Sequence, residues 1–90
     1  MIMEYIHSKD YFEAGDVVVV NCSHQCQVLL MDNTNYDKFR SGQKFERYGG
    51  SYDHFPVKLQ VPKSDTWNII LDFGDASVVV KHSIEVIRKS

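Results

Sequence analysis

Apolar residues in this chain come in runs that are short, strand-like and regularly punctuated. Val57-Lys58-Leu59-Gln60-Val61 alternates apolar with polar, as a strand with one wet face does. Trp67, Ile69, Leu71 and Phe73 share one face of a following strand, with Asn68 and Asp72 on the other and Ile70 between them. Val78, Val80, Ile84 and Val86 continue the alternation. The two longest uninterrupted runs, Val17–Val20 and Val28–Met31, are apolar on both faces. Such runs suit central strands covered from both sides.

Turn signals separate these runs every roughly 8–12 residues, the spacing of sandwiches and barrels. Gly15-Asp16, Pro62-Lys63-Ser64-Asp65 and Gly74-Asp75 mark loops. Ser23-His24-Gln25 reads as the link of a short hairpin, and Gly49-Gly50 as a tight turn using positive φ angles. Pro56 and Pro62 are expected at strand ends, because proline cannot donate to a ladder. Two segments favour a helical turn. One is Ser8–Ala14, capped by Ser8 and stopped by Gly15. The other runs from Asn33 to Gly42, capped by Asn33 or Thr34, with Tyr36 and Phe39 on one face.

These patterns predict one all-β domain over residues 1–90. The length of 90 residues is short for two domains, which mostly hold ~100–150 residues each. No apolar run approaches the ~20 residues that span a bilayer as a helix. The N-terminal Met1–His7 meets Glu4 at once and lacks a basic n-region, so it is not expected to be a secretory signal. With two cysteines and no signal, a reducing cytoplasm is the expected compartment. The net charge of −2 sets the chain against nucleic acid as its main partner.

The ordered segments Gly15–Val20, His24–Asp32, Asn35-Tyr36, Arg47–Gly50, Phe55-Pro56, Val61-Pro62, Trp67-Asn68 and His82–Ile84 resemble a family of small bacterial proteins catalogued as domain of unknown function 1883. The resemblance runs from about Tyr5 to Ile87. It implies a soluble, mostly β protein with no established activity, sometimes fused to Toll/interleukin-receptor domains and so placed beside signalling or defence modules. More loosely, the succession from Leu29 through Phe73 is similar to jelly-roll sandwiches such as the Golgi-dynamics domain and C-terminal domains of some secreted peptidases. The combined expectation is a jelly-roll-like antiparallel β-sandwich of about seven to eight strands with one or two short helical turns.

Motifs for catalysis are sparse. No Gly-x-Ser-x-Gly elbow is present, and no Gly-rich loop opens a long helix. No cofactor, metal site or catalytic residue is assigned. Cys22 and Cys26 lie four apart across a short loop; free thiols, a disulfide under oxidation and a soft metal clip with His24 are the open readings. The histidines His7, His24, His54 and His82 offer an alternative metal-binding or hydrolytic function if they cluster, with Cys22 or Cys26 as partners. His82 falls on the apolar line of its strand and is expected to be half-buried.

The remaining clue is an aromatic concentration. Six of the 11 aromatic residues, Tyr36, Phe39, Phe45, Tyr48, Tyr52 and Phe55, lie between positions 36 and 55. The phenylalanines are expected in the core. Residues 36–58 also carry five basic residues against three acidic ones. Arg and Tyr are enriched at binding surfaces. Arg40, Arg47, Tyr48 and Tyr52 are therefore the candidate binding residues of a non-catalytic module that takes a protein or a small ligand. Homodimerisation through a long C-terminal strand over Ala76–Ile87 is a further expectation, as is single-stranded nucleic-acid stacking, which the charge disfavours.

Overall fold

The computed structural model describes residues 5–74 and 80–89. Its elements are β1 (Tyr5–Phe12), β2 (Val17–Cys22), β3 (Cys26–Asp32), α1 (Asn33–Arg40), β4 (Tyr48–Tyr52), β5 (Val57–Gln60), β6 (Asp65–Asp72) and β7 (His82–Ile87). They form two antiparallel sheets, one ordered β1-β6-β3-β4 and the other β5-β2-β7. The all-β sandwich expected from the alternation is what the chain adopts.

The apolar runs explain which strands sit at the centre. β2 lies between β5 and β7, and β3 between β6 and β4. Val18 and Val20 from β2 meet Val28 and Leu30 from β3 and Trp67, Ile69 and Leu71 from β6 in the inter-sheet core. The opposite parity of β3 and β6 is also buried: Leu29, Met31 and Ile70 form a second cluster on the outer face. Tyr36 and Phe39 of α1, with Tyr5 and Phe45, cover it.

Three local expectations are corrected by pairing. Ser8–Ala14 is not a helical turn. Residues 5–12 form β1, paired with β6 along its whole length from Tyr5↔Asp72 to Phe12↔Asp65. An eight-residue ladder outweighs the weak helix propensity of a stretch holding Tyr11 and Phe12. Ser23–Gln25 does not close a hairpin, because β2 and β3 belong to different sheets; it carries the chain across the sandwich. Each strand is apolar on both faces and therefore serves as the middle of its own sheet.

Gly49-Gly50 is not a turn but the middle of β4, opposite Leu29 and Val28. Gly49 has φ +101°, and a Cβ there would lie 2.1 Å from the Val28 carbonyl oxygen. The glycine is needed for close approach of this edge strand to β3 rather than for chain reversal. The helix over Asn33–Arg40 forms as expected, but Asp32 is its N-cap, accepting from the Asn35 N–H at 2.9 Å. Gly42, at φ +75°, closes it: Gln43 N–H donates to Lys38 O and Gly42 N–H to Phe39 O, a Schellman pair. The expected strand over Ala76–Ile87 is β7 from His82 onward; Val78 lies outside the described residues.

Asp16 ties the termini of the sandwich. It is buried, and its carboxylate accepts from Lys89 N–H at 2.8 Å, Glu13 N–H at 2.9 Å and Arg88 Nη1 at 3.1 Å. Its backbone carbonyl accepts from Val61 N–H.

Two outcomes test this framework. Gly49→Ala destabilises the fold by about 2 kcal/mol or more in chemical denaturation, since the contact is with backbone and the φ is strained for any L side chain. The Asp16 carboxyl is held below the ordinary carboxylate range, first by the Lys89 and Glu13 amides and then by Arg88. Its folded value is lowered, so its contribution is complete above the unfolded value of about 3.9 and disappears as pH falls through the lowered one. Asp16→Asn therefore melts below wild type at pH 7, and the gap narrows as thermal scans descend below about pH 4.

Candidate recognition cleft

Where the β3–β6 ladder ends, Asp32 pairs with Trp67. Asp32 turns the chain into α1, and Asn35 in the first turn holds the returning segment by accepting from Glu46 N–H at 2.8 Å. Trp67 is buried and donates its indole N–H to Lys63 O at 3.0 Å. Tyr48, at the start of β4, packs edge-on to Trp67 with ring centroids 6.0 Å apart, yet remains 52% exposed. Between these groups lies a cleft of about 510 Å³. Its walls carry Asp32, Glu46, Arg47, Tyr48, Lys63 and Trp67. Lys63 Nζ lies 3.9 Å from Asp32 and 3.8 Å from Asp65. Lys63 is exposed in both pairs and the distances are long, so they contribute little to stability.

The structure does not bring the four candidate binding residues to one place. Arg47 and Tyr48 line the cleft. Arg40 is on α1, its guanidinium 5.7 Å from the Tyr36 ring centroid. Tyr52 is half-buried against the inter-sheet core, opposite Cys26 in the β4–β3 pairing. Tyr48 and Tyr52 share one face of β4, but only Tyr48 lies at the open end. Lys63 and Trp67 are not legible in the sequence as neighbours of Arg47, because loop Pro62–Asp65 comes alongside only through the β3–β6 register. The phenylalanines behave as core residues: Phe39 and Phe45 pack on the outer cluster and Phe55 on the inner one.

The histidines His24, His54 and His82 all lie towards the Cys22–Cys26 end of the sandwich, without forming a metal-holding group among the described residues. His7 lies mid-β1, His24 in the β2–β3 link, His54 after β4 and His82 at the first position of β7. Among the described residues no group of three His, Cys, Asp or Glu side chains could hold a metal ion. His82 is exposed rather than half-buried. It shares the parity of Ile84 and Val86 but precedes them at the strand's end, beyond the core they cover.

His7 instead belongs to a polar clasp under α1. The buried Asn68 amide donates to Met31 O at 3.3 Å and Asn33 Oδ1 at 2.9 Å, so its oxygen faces His7 Nε2 at 2.8 Å and accepts. His7 Nδ1 then accepts from the Tyr36 hydroxyl at 3.2 Å, and Tyr5 donates to Tyr36 at 3.3 Å. The His7 and Tyr36 rings stack at 4.3 Å. Burial, and then the Tyr5 hydrogen bond, push the Tyr36 phenol up to about 12, so it stays a neutral donor. Asn68→Ala would remove a buried amide and leave Met31 O without it in a covered position, along with the exposed Asn33 and His7. Urea titration is expected to show a loss of about 2–3 kcal/mol, and Asn68→Asp, which cannot donate, a comparable loss. A loss within about 0.5 kcal/mol would show that the clasp holds nothing.

Among the described residues, no helix is long and apolar enough to cross a membrane. No curated protein and no solved structure is significantly similar to the chain. One family model does match, over residues 3–90, nearly the full length, and its description is "Domain of unknown function (DUF1883)". The resemblance read from Gly15–Val20, His24–Asp32 and Trp67-Asn68 is thereby substantiated, and the chain belongs to the DUF1883 family.

Proposed function

We propose that this domain is a non-catalytic recognition module that takes a segment of a partner protein in the cleft beside Arg47 and Tyr48. The observation that carries the reading is the chemistry of the cleft walls. The exposed Arg47 guanidinium forms no hydrogen bond or ion pair among the described residues, and the Tyr48 face stands half in solvent against a fixed Trp67. An unengaged guanidinium beside an aromatic platform suits a ligand with a carboxylate next to a flat or apolar group. Asp32 and Glu46 on the same walls add acceptors for a donor on that ligand. A module of this kind, working in the cytoplasm beside signalling or defence domains, also accords with the family resemblance. A small ligand or a second copy of the chain would use the same chemistry.

Peptides selected on the wild-type domain from a random display library test the reading. Binding is expected to shift the emission of Trp67, the single tryptophan in the chain. It should weaken by roughly 30-fold or more in an Arg47→Ala/Tyr48→Ala variant, as truncation of central anchors does. Arg47 is exposed and has no partner among the described residues, so Arg47→Ala alone melts near wild type and is expected to weaken binding in the same direction. Equal binding to wild type and variant would overturn the assignment of the cleft. Light scattering that shows a dimer abolished by the same double substitution would replace the partner protein with a second copy.

A further inference from the structure

We propose that Cys22 and Cys26 form a thiol–disulfide exchange site, with Cys22 the attacking thiol and Cys26 the resolving one, that accepts a small anionic disulfide. The inference stands apart from the recognition cleft, at the other end of β3.

Cys22 is the last residue of β2 and Cys26 the first of β3, so the two flank the only three residues that carry the chain across the sandwich at this point. Both pack on the inter-sheet core, and both are free thiols. The linking loop is held rather than loose. Ser23 N–H donates to Lys81 O at 2.9 Å, Lys81 N–H donates to Ser23 Oγ at 3.0 Å, and Ser23 Oγ and His24 Nδ1 share a hydrogen bond at 2.8 Å. These bonds set Cys22 against β7, where it pairs with His82.

The two thiols differ in access. Cys22 is half-buried and lines a surface cleft of about 320 Å³ with Asn21, Ser23, Lys81, His82 and Ser83. Cys26 is 5% exposed and does not reach that cleft. A reagent in the cleft therefore meets Cys22 first. The lining contains a lysine and a histidine but no carboxylate. It favours a disulfide bearing carboxylates, such as that of an acidic thiol peptide. Burial, followed by the proximity of Cys22, pushes the Cys26 thiol up to about 12. A thiol held protonated attacks slowly, so the access of Cys22 to the cleft, and not the Cys26 thiol, sets which sulfur reacts first.

The exchange is balanced without any further oxidant. The Cys22 sulfur attacks one sulfur of the disulfide; that bond breaks, and the departing thiolate takes up the proton that Cys22 gives up. The Cys26 sulfur then attacks the Cys22 sulfur of the mixed disulfide, and the second thiolate leaves with the Cys26 proton. Two thiols are oxidised to one Cys22–Cys26 bond, and the reagent is reduced to two thiols.

The test uses the whole reduced domain with two probes, glutathione disulfide, which is anionic, and cystamine, which is cationic. Intact-mass spectra of wild type are expected to show loss of two hydrogens and no lasting adduct. Glutathione disulfide should react faster, on the order of tenfold, and Lys81→Ala should erase that preference. Cys26→Ser should retain one glutathione adduct on Cys22, and Cys22→Ser should stay unmodified. Unfolding wild type in guanidinium should abolish the preference between probes, a comparison that stands if a cysteine variant fails to fold. The proposal is overturned by a persistent adduct on wild type, by disulfide-linked dimers in place of the internal bond, or by no native reaction when both thiols titrate after unfolding.

Discussion

Burial of both faces of the β3–β6 ladder governs the rest of the molecule. On the inner side Val28, Leu30, Trp67, Ile69 and Leu71 meet the second sheet. On the outer side Leu29, Met31 and Ile70 would face water if the sheet stood alone. A short helix and the segment reaching Phe45 cover them. That cover needs one polar device. Asn68 has the outward parity of Ile70, and its amide is buried where β3 gives way to α1. It satisfies a β3 carbonyl, the first residue of the helix and a histidine of the neighbouring strand at once. The buried amide and the apolar cover depend on each other. Without the helix, Asn68 would be an ordinary exposed strand residue; without Asn68, the Met31 carbonyl and the first helical residue would lose the side chain that joins them.

The cleft beside Arg47 and Tyr48 is a consequence of how that ladder stops. Asp32 is both the cross-strand partner of Trp67 and the cap that starts α1. The chain must leave the sheet at that point, and the returning segment must rejoin it as β4 from the other side. Arg47 and Tyr48 sit at this return. Asn35 holds the adjacent Glu46 amide, which fixes the approach of the segment. Side chains thus ring an opening whose floor is the edge of a rigid indole. A site placed on fixed strands and a capped helix needs little reorganisation when a ligand arrives.

What was legible in the sequence follows from this arrangement. Alternation in Val57–Val61 and Trp67–Phe73, and its absence in Val17–Val20 and Val28–Met31, identified strands and central strands, because parity is a local property. The helix at Asn33 was legible through its polar start and Gly42. Parity does not say which strands pair. Ser8–Ala14 was misread because the partner that makes it a strand, β6, lies more than fifty residues away. Of Gly49-Gly50, only Gly49 takes the positive φ that the pair suggests, and its use depends on how closely β3 approaches. The candidate site was half legible for the same reason. Arg47 and Tyr48 are local neighbours, whereas Lys63 and Trp67 join them only through register.

The same register separates the two proposed sites along one strand. Tyr48 pairs with Leu30 near the end of β3, and Tyr52 pairs with Cys26 at its beginning. At about 3.4 Å per residue, the seven residues of β3 hold the thiol pair and the recognition cleft roughly 20 Å apart. Tyr48 and Tyr52 therefore report on different sites although they share one face of β4. β3 is covered on both faces and hydrogen-bonded on both edges, so it has little freedom to shift. A bond between Cys22 and Cys26 would fasten a crossover already held by Ser23 and Lys81 and leave the Asp32 end in place. Oxidation at one end and recognition at the other are thus expected to operate independently within one small sandwich.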